Sequence, residues 1–135
     1  MKMPKFVITM SLFLMFAFRA SNFGAAEGLA IGQSQYRLGL ASWYSEDSPG
    51  INERTANMEI FDDSEFTCAM WGVEFDTFVK VTNLENGKSV VLRVNDRGPA
   101  KRLVRKGRII DLTKTAFARI ASLRTGLISV KVEFV

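Results

Sequence analysis

The sequence predicts a small, mainly β barrel with one or two short helices. Three observations support this prediction. Five or six short β-rich runs follow one another between residues 38 and 135, two of them flank an Asn-Gly step, and only one segment has clear helical spacing. A parallel α/β sheet would need a helix between successive strands. The length of 135 residues allows one domain.

The first half of the pattern contains the clearest hairpin. Residues 38–44 (LGLASWY) form a β-leaning run with two aromatic residues, and residues 66–71 form a short apolar stretch. Residues 77–84 alternate between apolar and polar side chains, and residues 89–94 (SVVLRV) form another β-rich run. The Asn86-Gly87 step between the last two runs favours a tight turn, so we predict that they pair as a hairpin.

The second half contains one helix between two strands. Residues 108–112 (RIIDL) and 127–135 (LISVKVEFV) are strand candidates, and the polar, basic segment between the hairpin and residue 108 is predicted to be a loop. Residues 113–124 are predicted to be helical, with Thr113 capping the start and Gly126 closing the end. The apolar stripe of this helix consists of Ala116, Phe117, Ile120 and Leu123.

The N-terminus is typical of a secretory signal peptide. Lys2 and Lys5 precede an apolar run at residues 6–18, which is shorter than the ~20 residues of a membrane span. Gly24 and Ala26 then supply the small residues of a cleavage site.

We therefore predict that residues 1–26 are a removed leader, that residues 27–37 are a linker and that residues 38–135 form the domain. The mature protein is expected in the periplasm or elsewhere in the cell envelope. A lipid anchor is not expected, because no Cys lies near the cleavage site. An uncleaved N-terminal anchor is the alternative.

Composition excludes several kinds of active site. The sequence has no His and one Cys, which rules out His-dependent triads, His-ligated metal sites, disulfides within the chain and CxxC redox chemistry. Cys68 lies in an apolar run and is expected to be a small buried residue. No metal or other cofactor is predicted, and carboxylates, Lys, Tyr and hydroxyls remain as the main candidates for catalysis.

Charge argues against a nucleic-acid partner. Without the leader, 15 basic and 14 acidic residues remain, so the mature chain is close to neutral. Six bases nonetheless lie within one short segment, and they predict either an anion-binding strip for a carboxylate-bearing polymer or a loop that faces water. These bases are Arg97, Lys101, Arg102, Arg105, Lys106 and Arg108.

Aromatic and acidic side chains are the remaining candidates for a site. Trp43, Tyr44 and Trp71 could stack against sugar rings or pack in the core. Partial burial would raise the pKa of Asp96 or Glu59 and allow it to donate a proton near neutrality, and glycosidic cleavage uses two carboxyls that face a groove. Taken singly, Asp96 could instead cap its loop, and Glu59 could be a surface acid.

Five motifs, taken in order, resemble the rare lipoprotein A (RlpA-like) family. They lie at residues 39–44 (GLASWY), 55–62 (TANMEIFD), 81–87 (VTNLENG), 94–99 (VNDRGP) and 107–112 (GRIIDL). The resemblance covers about residues 38–135 and implies a six-stranded double-psi β-barrel. It also implies an endolytic peptidoglycan transglycosylase that acts on glycan strands without stem peptides.

The resemblance also implies site residues. The family's motif acid falls on Glu59 and its motif Asp falls on Asp96, and both are predicted to be catalytic. The family's His falls on Met70, which cannot donate, accept or carry charge as imidazole can, and Met58 stands where the family has Gly. We expect Glu59, Met70 and Asp96 to line one groove. Substrate binding is predicted for Trp43, Tyr44, Asn57, Asn95 and Arg97.

Three functions stay open on the sequence alone. In a lytic transglycosylase, Asp96 would protonate the glycosidic oxygen, the sugar's own 6-hydroxyl would displace the leaving group, and Glu59 would stabilise positive charge or orient the sugar. A barrel that binds glycan or an envelope protein without cutting is favoured by Met70. A hydrolase would use Glu59 and Asp96 as a carboxylate pair. The expected partner is the peptidoglycan glycan strand, bound by a monomer without a membrane span once the leader is removed.

Overall fold

Six strands close into a barrel in the computed structural model, which describes residues 35–135. The strands are β1 (Tyr36–Tyr44), β2 (Thr67–Ala69), β3 (Phe78–Asn83), β4 (Ser89–Asp96), β5 (Arg108–Thr113) and β6 (Ile128–Phe134), and the helices are α1 (Lys101–Val104) and α2 (Lys114–Ile120). The barrel and its two short helices confirm the predicted fold class. The predicted leader and most of the predicted linker lie outside the described residues.

Two parallel strand pairs give the barrel its topology. Around the barrel the strand order is β1-β5-β2-β4-β3-β6. The pairs β1–β5 and β2–β4 are parallel, and the other four neighbouring pairs are antiparallel. This closed barrel is the double-psi β-barrel that the resemblance implies. It places the end of β2 between the end of β4 and the middle of β5, where the candidate site lies.

Alternate residues of the strands fill the interior of the barrel. Val79 and Val81 of β3 and Leu92 of β4 are fully buried, as the two-residue period of a strand requires. Phe117 of α2 is fully buried in the same core, and complete burial of such a side chain contributes about 1.5–3 kcal/mol. Cys68 of β2 is fully buried too, which confirms its predicted place in the core.

The predicted hairpin is confirmed, and its turn also contacts the helix. Strands β3 and β4 pair antiparallel, and Gly87 in the turn has a φ of 75°, a conformation that glycine adopts without steric cost. The side-chain amide of Asn86 donates a hydrogen bond to the carbonyl oxygen of Ile120 at 2.9 Å. Asn83 donates to the same oxygen at 2.8 Å. The turn therefore holds the C-terminal end of α2.

Helix α2 is shorter than predicted because these amides occupy the carbonyl of its last residue. The helix ends at Ile120, and Ala121 has extended backbone angles. The predicted caps are also wrong. Thr113 occupies the N-cap position, but its hydroxyl donates to the carbonyl of Glu65 at 2.6 Å instead of capping. Gly126 has a φ of 70° beyond the end of the helix, shortly before β6.

Two further boundaries differ from the sequence prediction. Strand β1 begins at Tyr36, two residues before the predicted run. The basic segment predicted to be a loop contains the four-residue helix α1, whose N-cap residue is Ala100. Neither helix among residues 35–135 has the length and apolar character needed to cross a membrane.

Candidate active site

An irregularity at the end of β2 brings two aspartates to either side of one small residue. Ala69 pairs with Asp96 of β4 and with Asp111 of β5. The register with β4 shifts between Cys68 and Ala69, and such bulges re-aim side chains beside active sites. Paired residues project from the same face of a sheet, so both carboxyls lie on the face opposite to the buried Cys68.

Main-chain donors fix the carboxylate of Asp96. Its Oδ1 accepts hydrogen bonds from the N–H groups of Ala56 at 2.9 Å and Arg97 at 2.8 Å. The hydroxyl of Tyr44 donates to Oδ2 at 3.4 Å, which is a weaker contact. One oxygen of Asp96 is therefore anchored, and the other has only the tyrosine as a donor among the described residues.

Asp96 and Asp111 line an open cleft of about 290 Å³, a volume near the lower end for ligand-binding clefts. Tyr44 and Arg97 also line it. The ring of Tyr44 stacks on Phe61, with 4.7 Å between the ring centroids. Burial, followed by the negative charge of Asp96, raises the pKa of Tyr44 well above its usual value. The tyrosine therefore keeps its proton and acts as a donor.

Asp111 is a cleft residue that the sequence analysis did not single out. Its side chain is 19% exposed, and Arg108 Nε lies 3.1 Å from its Oδ1. The two groups form an ion pair, although the N–H of Arg108 is poorly aligned with Oδ1 and neither atom has another partner within residues 35–135. Burial raises the pKa of Asp111; the positive charge of Arg108 opposes the rise, and the negative charge of Asp96 adds to it. The signal in the sequence was a lone acid inside an apolar strand.

Glu59 lies in an ion-pair network instead of the cleft. Arg93 donates to both of its oxygens, at 2.7 and 2.9 Å, and also pairs with Asp76 at 2.8 Å. The amides of Asn57 and Asn95 donate to the same carboxylate at 2.9 and 3.0 Å. The bonds from Arg93, and then from Asn95 and Asn57, lower the pKa of Glu59 to about 2. The expectation that burial raises the pKa of Glu59 is wrong. The side chains of Asn57 and Asn95 bind Glu59 and are not part of the cleft lining.

One loop contacts both carboxylates. Ala56 donates its N–H to Asp96, and the N–H of Asn57 donates to the carbonyl of Asn95 at 3.3 Å. Glu59 lies at the end of the same loop. Met58 has a φ of 73°, which costs a residue with a side chain about 1–2 kcal/mol. This conformation explains why the resemblance places Gly at that position.

Met70 does not line the groove, so that expectation is wrong. Its side chain is fully buried and belongs to the hydrophobic core. Its main chain contributes to the site instead. The N–H of Met70 donates to the carbonyl of Asp96 at 3.1 Å, and its own carbonyl accepts a hydrogen bond from Arg97 at 2.9 Å. The backbone at this position therefore supports the loop that carries Asp96.

The six bases of the basic segment do not share one environment. Arg97 lines the cleft, where its guanidinium lies 3.8 Å from the centroid of the Phe75 ring, and Arg108 faces Asp111. Lys101 lies over Trp71 at 5.4 Å. The other three bases of the segment are exposed: Arg102, Arg105 and Lys106. The predicted strip is therefore not one continuous anion site.

The three candidate aromatic residues do not form one platform. Trp43 and Tyr44 are consecutive in β1, so their side chains project to opposite faces. Trp43 packs against the core, and its indole N–H donates to the carbonyl of Leu123 at 3.1 Å. Trp71 is 41% exposed and donates to the carbonyl of Pro99 at 2.7 Å. Of the three, Tyr44 is the one that lines the cleft with Asp96.

Known proteins share both the barrel and the segments that form the cleft. A sequence model of the family described as "Lytic transglycolase" matches residues 37–132. The chain belongs to this family. The family match runs from β1 to β6 and includes Glu59, Asp96 and Asp111.

Two bacterial relatives show how much of the sequence is shared. The endolytic peptidoglycan transglycosylase RlpA of Vibrio cholerae is 42% identical over 97 residues, which cover 72% of this chain and 35% of the relative. The probable endolytic peptidoglycan transglycosylase RlpA of Synechocystis is 41% identical over 118 residues, which cover 87% of this chain and 33% of the relative. The matched part of the chain thus spans about a third of the length of these two family members.

Solved structures with lower identity share the fold. The Streptomyces papain inhibitor superposes with a TM-score of 0.58 at 23% identity, covering 75% of this chain and 94% of that one. The apo expansin of Clavibacter michiganensis superposes with a TM-score of 0.55 at 23% identity, covering 75% of this chain and 50% of that one. At this level of identity the likeness shows the fold alone.

Proposed function

We propose that this domain is a lytic transglycosylase that cleaves the glycan strands of peptidoglycan. The observation that carries the proposal is the carboxylate of Asp96, which two main-chain donors fix at the wall of an open cleft. Family membership supports it, because relatives that are 41–42% identical are named endolytic peptidoglycan transglycosylases. Strands without stem peptides are the proposed substrate, as the resemblance implies.

In this mechanism Asp96 handles proton transfer at the scissile bond. A glycosidic bond breaks when its oxygen receives a proton and positive charge develops at the anomeric carbon. The 6-hydroxyl of the same sugar then attacks that carbon and closes an anhydro ring, so no water is activated. A carboxyl placed for such a transfer contributes typically about 10²–10⁴-fold to the rate. The Tyr44 hydroxyl beside Oδ2 helps to hold the carboxyl in place.

Glu59 is proposed to position the site without touching the substrate. Its contacts with Arg93, Asn57 and Asn95 fix the end of the loop whose Ala56 N–H holds Asp96. A carboxylate with a pKa of about 2 has no proton to give near neutrality. Glu59 is therefore proposed as a positioning residue and not, as the sequence predicted, as a catalytic one.

Met70 favours a second candidate function, a barrel that binds glycan without cutting it. The family's His falls on this position by resemblance, and the thioether is enclosed in the core. In that case the cleft would hold sugar through side chains such as Tyr44 and Arg97.

Export is part of the proposal. The proposed mature protein loses residues 1–26, acts in the periplasm or cell envelope as a monomer, and carries its activity in residues 38–135. The charged start, the short apolar run and the small residues before residue 27 support this cellular location.

Peptide-stripped glycan provides the test. Purified residues 27–135 are incubated with it, and the chain ends are identified by mass spectrometry. Anhydro ends are expected, reducing ends would mean hydrolysis, and intact glycan that stays bound would mean a binding module. Asp96→Asn should bind without cutting, and Asp62→Asn, at an exposed position outside the cleft lining, is the matched control.

A further inference from the structure

The cleft contains a second carboxyl, and it is not the one that the motifs indicate. Asp111 lines the same cleft as Asp96, whereas Glu59 is bonded to Arg93 outside the cleft lining. Asp111 has no place in the mechanism described above.

Strand pairing sets the distance between the two aspartates. Ala69 is the direct partner of both, so Asp96 and Asp111 lie two strand spacings apart, or about 10 Å between their Cα atoms. Both side chains project from the same face, and each can reach inward over the methyl group of Ala69. Two carboxyls on one face of the barrel can both approach a single glycosidic bond bound in the cleft.

The space between the aspartates is kept open by small residues. A Cβ atom at Gly98 would lie 3.2 Å from the Cβ of Ala69 and 3.7 Å from Asp111 Oδ2. Glycine at this position therefore leaves Oδ2 of Asp111 accessible from the cleft. Larger side chains at Gly98 or Ala69 would cover the carboxyl.

The two carboxyls differ in their hydrogen bonds. Asp96 accepts two main-chain N–H bonds, which suit a charged carboxylate. Asp111 Oδ1 accepts no main-chain N–H among the described residues and is held only by a poorly aligned ion pair with Arg108 Nε at 3.1 Å. Burial raises the pKa of Asp111 and the negative charge of Asp96 adds to the rise, whereas Arg108 opposes it. Of the two carboxyls, Asp111 therefore has the surroundings that favour the protonated form.

We propose that Asp111 is a catalytic residue that donates the proton to the leaving glycosidic oxygen, while Asp96 accepts the proton of the attacking 6-hydroxyl. The assignment rests on the proposed transglycosylase function and divides its acid and base steps between two side chains. The bond from the anomeric carbon to the bridging oxygen breaks, and that oxygen takes the proton of Asp111. The bond from the same carbon to O6 forms, and the proton of O6 passes to Asp96. After the product leaves, Asp96 releases its proton to solvent and Asp111 takes one up.

A substrate whose leaving group needs no proton separates the two roles. The probe is a 4-methylumbelliferyl glycoside of the GlcNAc-MurNAc disaccharide, measured beside peptide-stripped glycan. Asp111→Asn should lose about 10²–10⁴-fold on the glycan, as expected for a missing general acid, and less than about 10-fold on the umbelliferyl substrate. Asp96→Asn should lose activity on both. Asp62→Asn should lose activity on neither.

Thermal unfolding of each variant checks that the barrel is intact. Asp111→Glu is the second variant in case Asp111→Asn leaves Arg108 buried without a partner and fails to fold. It keeps an acid in the cleft, so it should retain more glycan cleavage than a folded Asp111→Asn and cleave the umbelliferyl substrate like wild type.

Three results would overturn the assignment. Glycan cleavage by folded Asp111→Asn within about threefold of wild type would mean that Asp111 donates no proton. Equal losses on both substrates, in folded Asp111→Asn or, failing that, in Asp111→Glu, would make it a structural residue. A wild-type protein that cleaves neither substrate would remove the transglycosylase function itself, and the assignment with it.

Discussion

Two groups of carboxyl side chains lie near the end of β4, and they differ in how their charge is satisfied. Glu59 receives hydrogen bonds from Arg93, Asn57 and Asn95. Asp111, in the cleft, has one poorly aligned ion pair with Arg108 and lies near the negative charge of Asp96. The pKa of Glu59 falls to about 2, and that of Asp111 rises. A carboxylate with a full set of hydrogen-bond donors stabilises the structure as a charged group. A carboxylate with fewer donors has a raised pKa and is better suited to hold and transfer a proton.

The largest effect should come from the cleft. Asp96→Asn removes the proton acceptor while keeping the size of the side chain, and should lower glycan cleavage by about 10²–10⁴-fold. Anhydro-end formation, measured by mass spectrometry, checks the rate, and glycan co-sedimentation checks binding. Cleavage at more than a tenth of the wild-type rate would place the chemistry elsewhere.

The core behind the cleft gives the next largest effect. Met70→His introduces an imidazole where the side chain is fully buried, and an unsatisfied polar group there costs about 1–3 kcal/mol. Urea unfolding measures the loss of stability, with Met70→Leu as the apolar control, which should cost less than ~1.5 kcal/mol. A His variant that is as stable as wild type and cleaves faster would show that this side chain reaches the substrate.

The ion pairs of Glu59 should stabilise the fold at neutral pH, and this stabilisation should be lost in acid. Glu59→Gln should lower the free energy of unfolding at pH 7 by only about 1 kcal/mol, because solvent screens an ion pair whose carboxylate is 37% exposed. The folded pKa of Glu59 is about 2 and its ordinary value is 4.5, so the stabilisation is complete above pH 4.5 and is lost as the pH falls towards 2.

Urea unfolding of wild type and Glu59→Gln at pH 7 and pH 3 tests this dependence. The gap between the two proteins should shrink at pH 3. A gap of the same size at both pH values would mean that the charge of Glu59 does not stabilise the fold. Cleavage should fall by less than about 10-fold in this variant, because Glu59 acts on Asp96 through the loop.

The smallest effect concerns the loop that joins the two groups. Met58→Gly should raise the free energy of unfolding by about 1 kcal/mol or less, because glycine adopts the φ of 73° without steric cost. Thermal unfolding measures the change. Met58→Ala, which keeps a Cβ, is the control and should not stabilise. A destabilised glycine variant would show that the exposed Met58 side chain makes contacts that outweigh the strain.

Local sequence patterns predicted the barrel, its hairpin and the segments around the site. They could not predict features that depend on partners far along the chain. The pKa of Glu59 is set by Arg93, 34 residues away, and α2 ends where Asn83 takes the carbonyl of a residue 37 positions later. Asp111 could have been found from its alternation with the buried Ile110 and Leu112. That it lies near Asp96 could not be predicted, because this depends on the placement of β2 between β4 and β5.

The pairing of β1 with β6 has a consequence for how the barrel forms. Tyr36 lies opposite Glu133, so the ring closes through residues at the two ends of the domain. Contacts of such high sequence separation make folding slow, since chain entropy is lost before they form. During synthesis, β1 leaves the ribosome well before its partner exists and exposes a free strand edge, which other chains can pair with. Fast assembly of the local β3–β4 hairpin followed by late closure of the β1–β6 seam is the expected order of events.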